Sequence, residues 1–249
     1  MDAAEFDRLV ARARDPRLVP GIYNYCDGRC QRCPFTQRCL TYLDTQELKE
    51  AGDERSHADV VGDSLQRTLE MLAEAARREG VDLDAIGDET PDPAPDQDLE
   101  RHRQDPLAVR ARDYGHMAWR IGRAVTPIAA ARGDAALAGA VETIEWFSSM
   151  ISAKLYRAIC GQAEGWEGRD EAQTDFNGSA KIALIGIGES RRAWAVLMEA
   201  GRATADGVPA QAVRILESLE ADVRARFPRV MEFLRPGFDE EAPPAQGGQ

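Results

Sequence analysis

The sequence predicts an all-α protein: a bundle of about four to five long helices with a cysteine-rich metal-binding loop near its N-terminus. Three observations predict it. Apolar residues recur every three or four positions along most of the 249 residues. Aromatic residues make up only 6% of the chain, and runs of alternating Val, Ile, Tyr and Thr are missing, which argues against strands. Four of the five cysteines crowd between Cys26 and Cys39.

The elements follow in order. Ala3 to Arg14 places Phe6, Leu9, Val10 and Ala13 on one face and stops at Pro16. The cysteine loop runs from Gly21 to Arg38, and a helix is expected from Thr36 to Glu50. His57 to Glu79 is a stronger helix, with Val61, Leu65, Leu69 or Thr68, Leu72 and Ala76 in register and Gly80 as its stop. Residues 82–105 carry nine acids against two arginines, with prolines between, and read as a mobile, dispensable linker. Asp105-Pro106 reads as an N-cap followed by proline at the first helical position. The seam after it is Leu107, Ala111, Tyr114, Ala118, Ile121, Val125 and Ile128, and Pro127 is expected to kink or end that helix. Ala135 to Gly161 repeats the spacing and is expected to be central. Thr174 to Gly201 is a further helix, whose Gly178, Gly186 and Gly188 suggest close helix approach. The last helix opens near Pro209 and breaks at Phe227-Pro228. The organisation is thus 1–52, helix and cysteine loop; 53–81, a helix of the bundle; 82–105, linker; 106–236, bundle; and 237–249, disordered tail.

The formal charge of −12 is concentrated: −7 falls in residues 82–105 and −3 after Gly237, leaving a nearly neutral folded part. Nothing in that pattern forms the basic footprint that nucleic acid requires. No apolar run reaches the ~18–20 residues of a membrane span, and the charged N-terminus does not read as a signal peptide. The expected location is therefore the cytoplasm, where clustered cysteines bind metal more often than they pair as disulfides. No nucleic-acid or membrane partner is expected.

Cys26, Cys30, Cys33 and Cys39 form C-x3-C-x2-C-x5-C. Four thiolates supply a tetrahedral set to one zinc or four corners to one iron–sulfur cluster. Zinc sites usually separate two short knuckles by a dozen or more residues. The contiguous run here, with Pro34 after Cys33, is closer to a ferredoxin-type 4Fe-4S loop. Thr36 is expected to cap the helix holding Cys39 and aim its dipole at the ligands. Function is accordingly expected to be redox or electron transfer through an iron–sulfur cluster, with a redox protein as partner. The alternative is a zinc-stabilised binding or scaffold protein without catalysis.

The spacing C-x3-C-x2-C also looks like the cluster loop of radical S-adenosylmethionine enzymes. In this chain no strand precedes Cys26, no βα repeat follows Cys39, and the fourth cysteine would fill the corner those enzymes leave open. The stretches GIYNYCDGRCQRCPFTQRC, NGSAKIALIGI and LRPGFD together resemble an uncharacterised family of bacterial all-helical proteins. That resemblance implies a metal loop joined to a helical bundle and carries over no catalytic role.

A second site is a weaker expectation. Asp113 and His116, and Glu142 and Glu145, share i, i+3 spacing on consecutive helices, the arrangement from which carboxylate-bridged metal oxidases build a centre. With only three histidines in the chain, the competing reading is a solvated face or a buried ion pair. Asp175, Asn177, Ser179 and Lys181 read as helix capping, although Lys181 and Glu189 inside an apolar helix would line a polar pocket. Trp119, Trp146, Trp166 and Trp194 read as core or rim, and Cys160 as a packed thiol.

Overall fold

The computed structural model describes residues 1–50, 57–83, 85, 94–166, 170–200 and 207–239. Among them there are eight α-helices and no strands, so the all-α class is correct and the expected helix count is too low. The helices are α1 (Ala3–Ala13), α2 (Leu40–Glu50), α3 (His57–Glu79), α4 (Ala94–Arg103), α5 (Pro106–Arg132), α6 (Ala135–Ala163), α7 (Asp175–Glu199) and α8 (Val208–Arg226). They fall into two compact units, Met1–Tyr23 with Gly28–Pro93 and Asn24–Asp27 with Ala94–Gln249.

The second unit is a four-helix bundle of α5 to α8. Asp105 starts α5 as the aspartate-proline pair suggested: its carboxylate accepts from the Leu107 N–H at 2.9 Å. Asp134 starts α6 in the same way through Leu137. Pro127 does not end α5. The helix continues through it to Arg132 and stops at Gly133, whose φ of +62° suits a residue without Cβ. The seam of α5 is buried at Leu107, Ala111, Tyr114, Ala118 and Val125, but Ile128 is exposed. The seam of α6, Leu137, Val141, Ile144, Ser148, Ile151, Leu155 and Ala158, is buried throughout. Helix α7 is buried around nearly its whole circumference from Phe176 to Leu184. Backbone proximity explains Gly115: a Cβ there would stand 2.3 Å from the Ser148 carbonyl oxygen.

The expected linker is in part a helix. Residues 94–103 form α4, and the Tyr156 hydroxyl of α6 donates to the Leu99 carbonyl at 3.3 Å. Composition misled here because Arg101, His102 and Arg103 close the helix on its favourable end. Residues 84 and 86–93 of that stretch, and 240–249 of the expected tail, lie outside the described residues.

The first unit is thinly packed. Asp2 caps α1, and Arg78 of α3 bonds Asp7 at 2.6 Å and lies 4.5 Å over the Phe6 ring. The Met1 amine meets Glu70 at 3.0 Å. These contacts bring α1 to the polar side of α3. The predicted apolar stripe therefore does not form a core: Val61, Leu65, Leu69 and Leu72 are exposed, and only Ala76 is buried.

Candidate metal loop and polar junction

The cysteine loop is built from tight turns. Short 3-10 turns span Cys30–Arg32 and Thr36–Arg38, and Gly28 adopts φ +69° just before the first. The expected cap at Thr36 is not formed. Thr36 opens a single 3-10 turn whose cap, Phe35, makes no side-chain hydrogen bond, and Cys39 is extended (φ −112°, ψ 110°). The α-helix begins one residue later, and the Cys39 carbonyl accepts from Leu43 N–H at 3.1 Å. The helix is thus Leu40–Glu50 and not the expected Thr36–Glu50, because Thr36–Arg38 close as a 3-10 turn and Cys39 is extended. Cys26, Cys33 and Cys39 are half-buried and Cys30 is exposed. The Phe35 amide donates to Cys33 Sγ at 3.4 Å, two residues along the chain.

The segment Asn24–Asp27, which holds Cys26, is clamped to the bundle at three points. Lys154 Nζ donates to the Asn24 carbonyl at 2.6 Å, and Trp146 Nε1 donates to the Asp27 carbonyl at 2.7 Å. Between them the Tyr25 hydroxyl donates to Asp175 Oδ1 at 2.8 Å. Arg157 holds the same carboxylate with two hydrogen bonds of 2.7 and 2.8 Å. Burial pushes the Asp175 carboxyl up, but Arg157 and Tyr25 outweigh it and leave the group below its ordinary range. Burial and then the bond to Asp175 push Tyr25 up to about 12. Lys154 is lowered, first by burial and then by Arg157, while the Cys26 and Asp175 charges oppose this.

The start of α7 then meets the segment after α8. The Tyr25 and Phe233 rings lie 4.7 Å apart over Gly178, where a Cβ would be 2.4 Å from Tyr25 Cε1. Lys181 is buried, and its ammonium donates to the Phe233 carbonyl at 2.5 Å and to Asp239 Oδ2 at 2.7 Å. Arg235 bonds the other side of Asp239. Burial raises the Asp239 carboxyl, and Arg235 and Lys181 reverse that to hold it far below the carboxylate range. The three stretches that carried the family resemblance, YNYC, NGSAK and LRPGFD, therefore converge on one junction. Asp175, Asn177, Ser179 and Lys181 do more than cap a helix. Asn177 Oδ1 and Ser179 Oγ are buried without hydrogen-bond partners among the described residues.

The carboxylate–histidine quartet is not brought together. Asp113 and His116 are exposed on α5 and line a shallow depression with Trp119 and Arg120. Glu145 folds over Gly122, accepts from Thr126 at 3.2 Å and lines a different depression. Glu142 is exposed and lines neither. Asp113, His116 and Glu142 are thus exposed, and among the described residues the four side chains do not gather into one metal-holding group. Trp194 is core, its Nε1 donating to the Tyr114 hydroxyl at 3.1 Å, whereas Trp119, Trp146 and Trp166 are exposed. Cys160 is half-buried one turn after Tyr156. A groove of about 630 Å³ between α5 and α8 has Tyr114, Met117 and Ile121 at its base and Arg110, Arg120 and Arg214 around it. Sequence reasoning missed it, because no periodicity links α5 to α8.

Among the described residues no three His, Cys, Asp or Glu side chains form a group able to hold a metal ion as they stand. The chemistry of the donor set still fits a soft metal: four thiols within fourteen residues, and an amide already bonded to one sulfur. Thiolate ligation is coupled to local folding, so ligands need not converge before the metal binds. Comparison with protein-family models, curated proteins and solved structures finds no match.

Proposed function

We propose that Cys26, Cys30, Cys33 and Cys39 bind an iron–sulfur cluster of the 4Fe-4S type, and that the protein transfers electrons to or from a redox protein partner or senses redox state. The observation that carries this reading is the all-sulfur donor set packed into one contiguous loop, followed by proline. The Phe35 amide on Cys33 supports it, since hydrogen bonds to ligand sulfurs stabilise the reduced charge and tune cluster potentials. The cluster would supply one-electron chemistry. This chain's own residues would hold the first ligand in place, through Lys154, Trp146 and Tyr25 on either side of Cys26.

Iron and acid-labile sulfide analysis of anaerobically purified protein tests this. A brown preparation with iron and sulfide in equal amounts is expected, and changing any of the four cysteines to Ser should lower bound metal. Cys160→Ser should not. A colourless preparation with stoichiometric zinc would replace this reading with the zinc-stabilised scaffold. Full metal content in a Cys30→Ser, Cys33→Ser double variant would end the four-cysteine site altogether.

A further inference from the structure

The groove between α5 and α8 is blind at one end. Asp105 and Arg226 pair at 2.6 Å where α5 begins and α8 ends. A turn further along α5, Arg110 bonds the Ser218 hydroxyl at 3.2 Å and the Asp222 carboxylate. These contacts set α5 and α8 antiparallel, and the second closes the groove like a clasp. From the clasp the groove runs along eleven residues of α5 to Ile121, or ~16 Å at ~1.5 Å per residue. Its volume of about 630 Å³ falls in the range of small-molecule sites. The floor is apolar: Tyr114 is buried, and Met117, Ile121 and Ile215 are half-buried. The Tyr114 hydroxyl is turned into the core, where it accepts from Trp194 Nε1 at 3.1 Å, so the ring presents carbon to the groove.

The open part of the rim is cationic. Arg120 on α5 and Arg214 on α8 are exposed, and neither guanidinium bonds a carboxylate among the described residues. The antiparallel register sets Arg214 opposite Met117 and Arg120 opposite Gln211. The two side chains therefore rise from opposite walls about one turn apart. Arg110 is already neutralised by Asp222. The Asp113 carboxylate also borders the groove, seven residues or ~10 Å from Arg120 along α5. Two uncompensated positive charges thus face one negative charge beside an apolar floor. A guanidinium pair takes a carboxylate through charge-assisted hydrogen bonds. The floor leading from that pair to the clasp takes an alkyl chain. Helices packed about 8–10 Å apart leave a furrow one such chain wide, and the clasp stops a partner's helix from lying through it. The complementary occupant is a one-chain amphiphile with an anionic head.

We propose that the α5–α8 groove binds a medium-chain fatty-acid anion, with its carboxylate between Arg120 and Arg214 and its alkyl chain over Met117, Ile215 and Tyr114 towards the Arg110–Asp222 clasp. Calorimetric titration of the full-length chain with decanoate, below the concentration at which it forms micelles, tests this. One decanoate per chain is expected. Hexanoate should bind about tenfold or more weakly, because it buries fewer methylenes. Decanol should also bind about tenfold or more weakly, for want of the charge. Arg120→Gln, Arg214→Gln should weaken decanoate at least about tenfold, with helicity unchanged by circular dichroism. Arg120→Glu, Arg214→Glu should exchange the preference from decanoate to decylamine. Asp113→Asn should tighten decanoate about twofold to threefold. Absence of decanoate binding overturns the proposal. So does binding that survives both arginine exchanges, or decanol binding equal to decanoate. Binding only to vesicles of anionic phospholipid overturns it in favour of a membrane surface. A dimer lost on Arg120→Glu, Arg214→Glu, without decanoate uptake, assigns the groove to a second copy instead. None of these outcomes depends on what the cysteines bind.

Discussion

The two units solve the problem of staying folded differently. The bundle buries leucines on all four of its helices and isoleucines and large aromatics between them, with Trp194, Tyr114 and Phe147 fully inside. The N-terminal unit, among its described residues, buries only Val19, Ile22 and Ala76 of its hydrophobic side chains. Its contacts are mainly ion pairs, Arg12 with Asp44 and Glu47, and Arg78 with Asp7 and Glu74. Exposed pairs of this kind contribute about 0–1 kcal/mol each, whereas one fully buried leucine contributes about 1.5–3 kcal/mol. A unit with so small a core usually relies on a metal or on oligomerisation. Cys30, Cys33, Cys39 and the α3 stripe lie in the unit that lacks a core, which is where such support has the most effect.

Substitutions sharpen this contrast. Trp194→Ala should cost the bundle about 3–5 kcal/mol and strand the Tyr114 hydroxyl; chemical denaturation followed by fluorescence reads it. A cost below 1 kcal/mol would mean the bundle is as loosely built as the N-terminal unit. Next in size is Gly178→Ala. Its new methyl would collide with Tyr25 and Phe233, costing about 1–3 kcal/mol and raising hydrogen exchange at Asn24–Asp27.

Tyr25 gives the pH dependence. Its pKa is raised from 10.0 to about 12, so the folded state holds the phenol proton more tightly than the unfolded chain does. The stability from its bond to Asp175 is therefore complete below pH 10 and lost as pH rises towards 12. Tyr25→Phe should cost about 0.5–1.5 kcal/mol at neutral pH and flatten that alkaline loss. An identical alkaline profile in the variant would place the sensitive group elsewhere. The smallest effect belongs to α3: in dilute solution Leu65→Ala should change stability by no more than about 0.5 kcal/mol. Leu155→Ala in the bundle should cost about 2–5 kcal/mol. Equal losses at the two leucines would erase the distinction between the units.

Helix positions were legible in the sequence where periodicity and capping agreed. The bounds of α3 match those read from His57 and Gly80, and Asp105-Pro106 marked the start of α5. Gly178 and Gly186 were legible as sites of close approach, and they do face Tyr25 and Phe147. The direction in which a stripe faces was not legible. The α3 leucines have a core-like period, yet periodicity says only that a face exists, not that something covers it. The polar junction was visible as three stretches and not as one place, since Tyr25, Asp175 and Asp239 meet only through tertiary packing. Lys181 was the available signal: an ammonium in an apolar helix needs a counter-ion from somewhere.

That counter-ion has a consequence for biosynthesis. Lys181 and Asp239 are 58 residues apart. At about 5–20 residues per second of translation, Lys181 waits roughly 3–12 s before its carboxylate has even been made. Until then, seating α7 would bury an uncompensated positive charge. The nascent bundle should therefore hold α7 back, wet at its first two turns, and close only once the segment after α8 arrives.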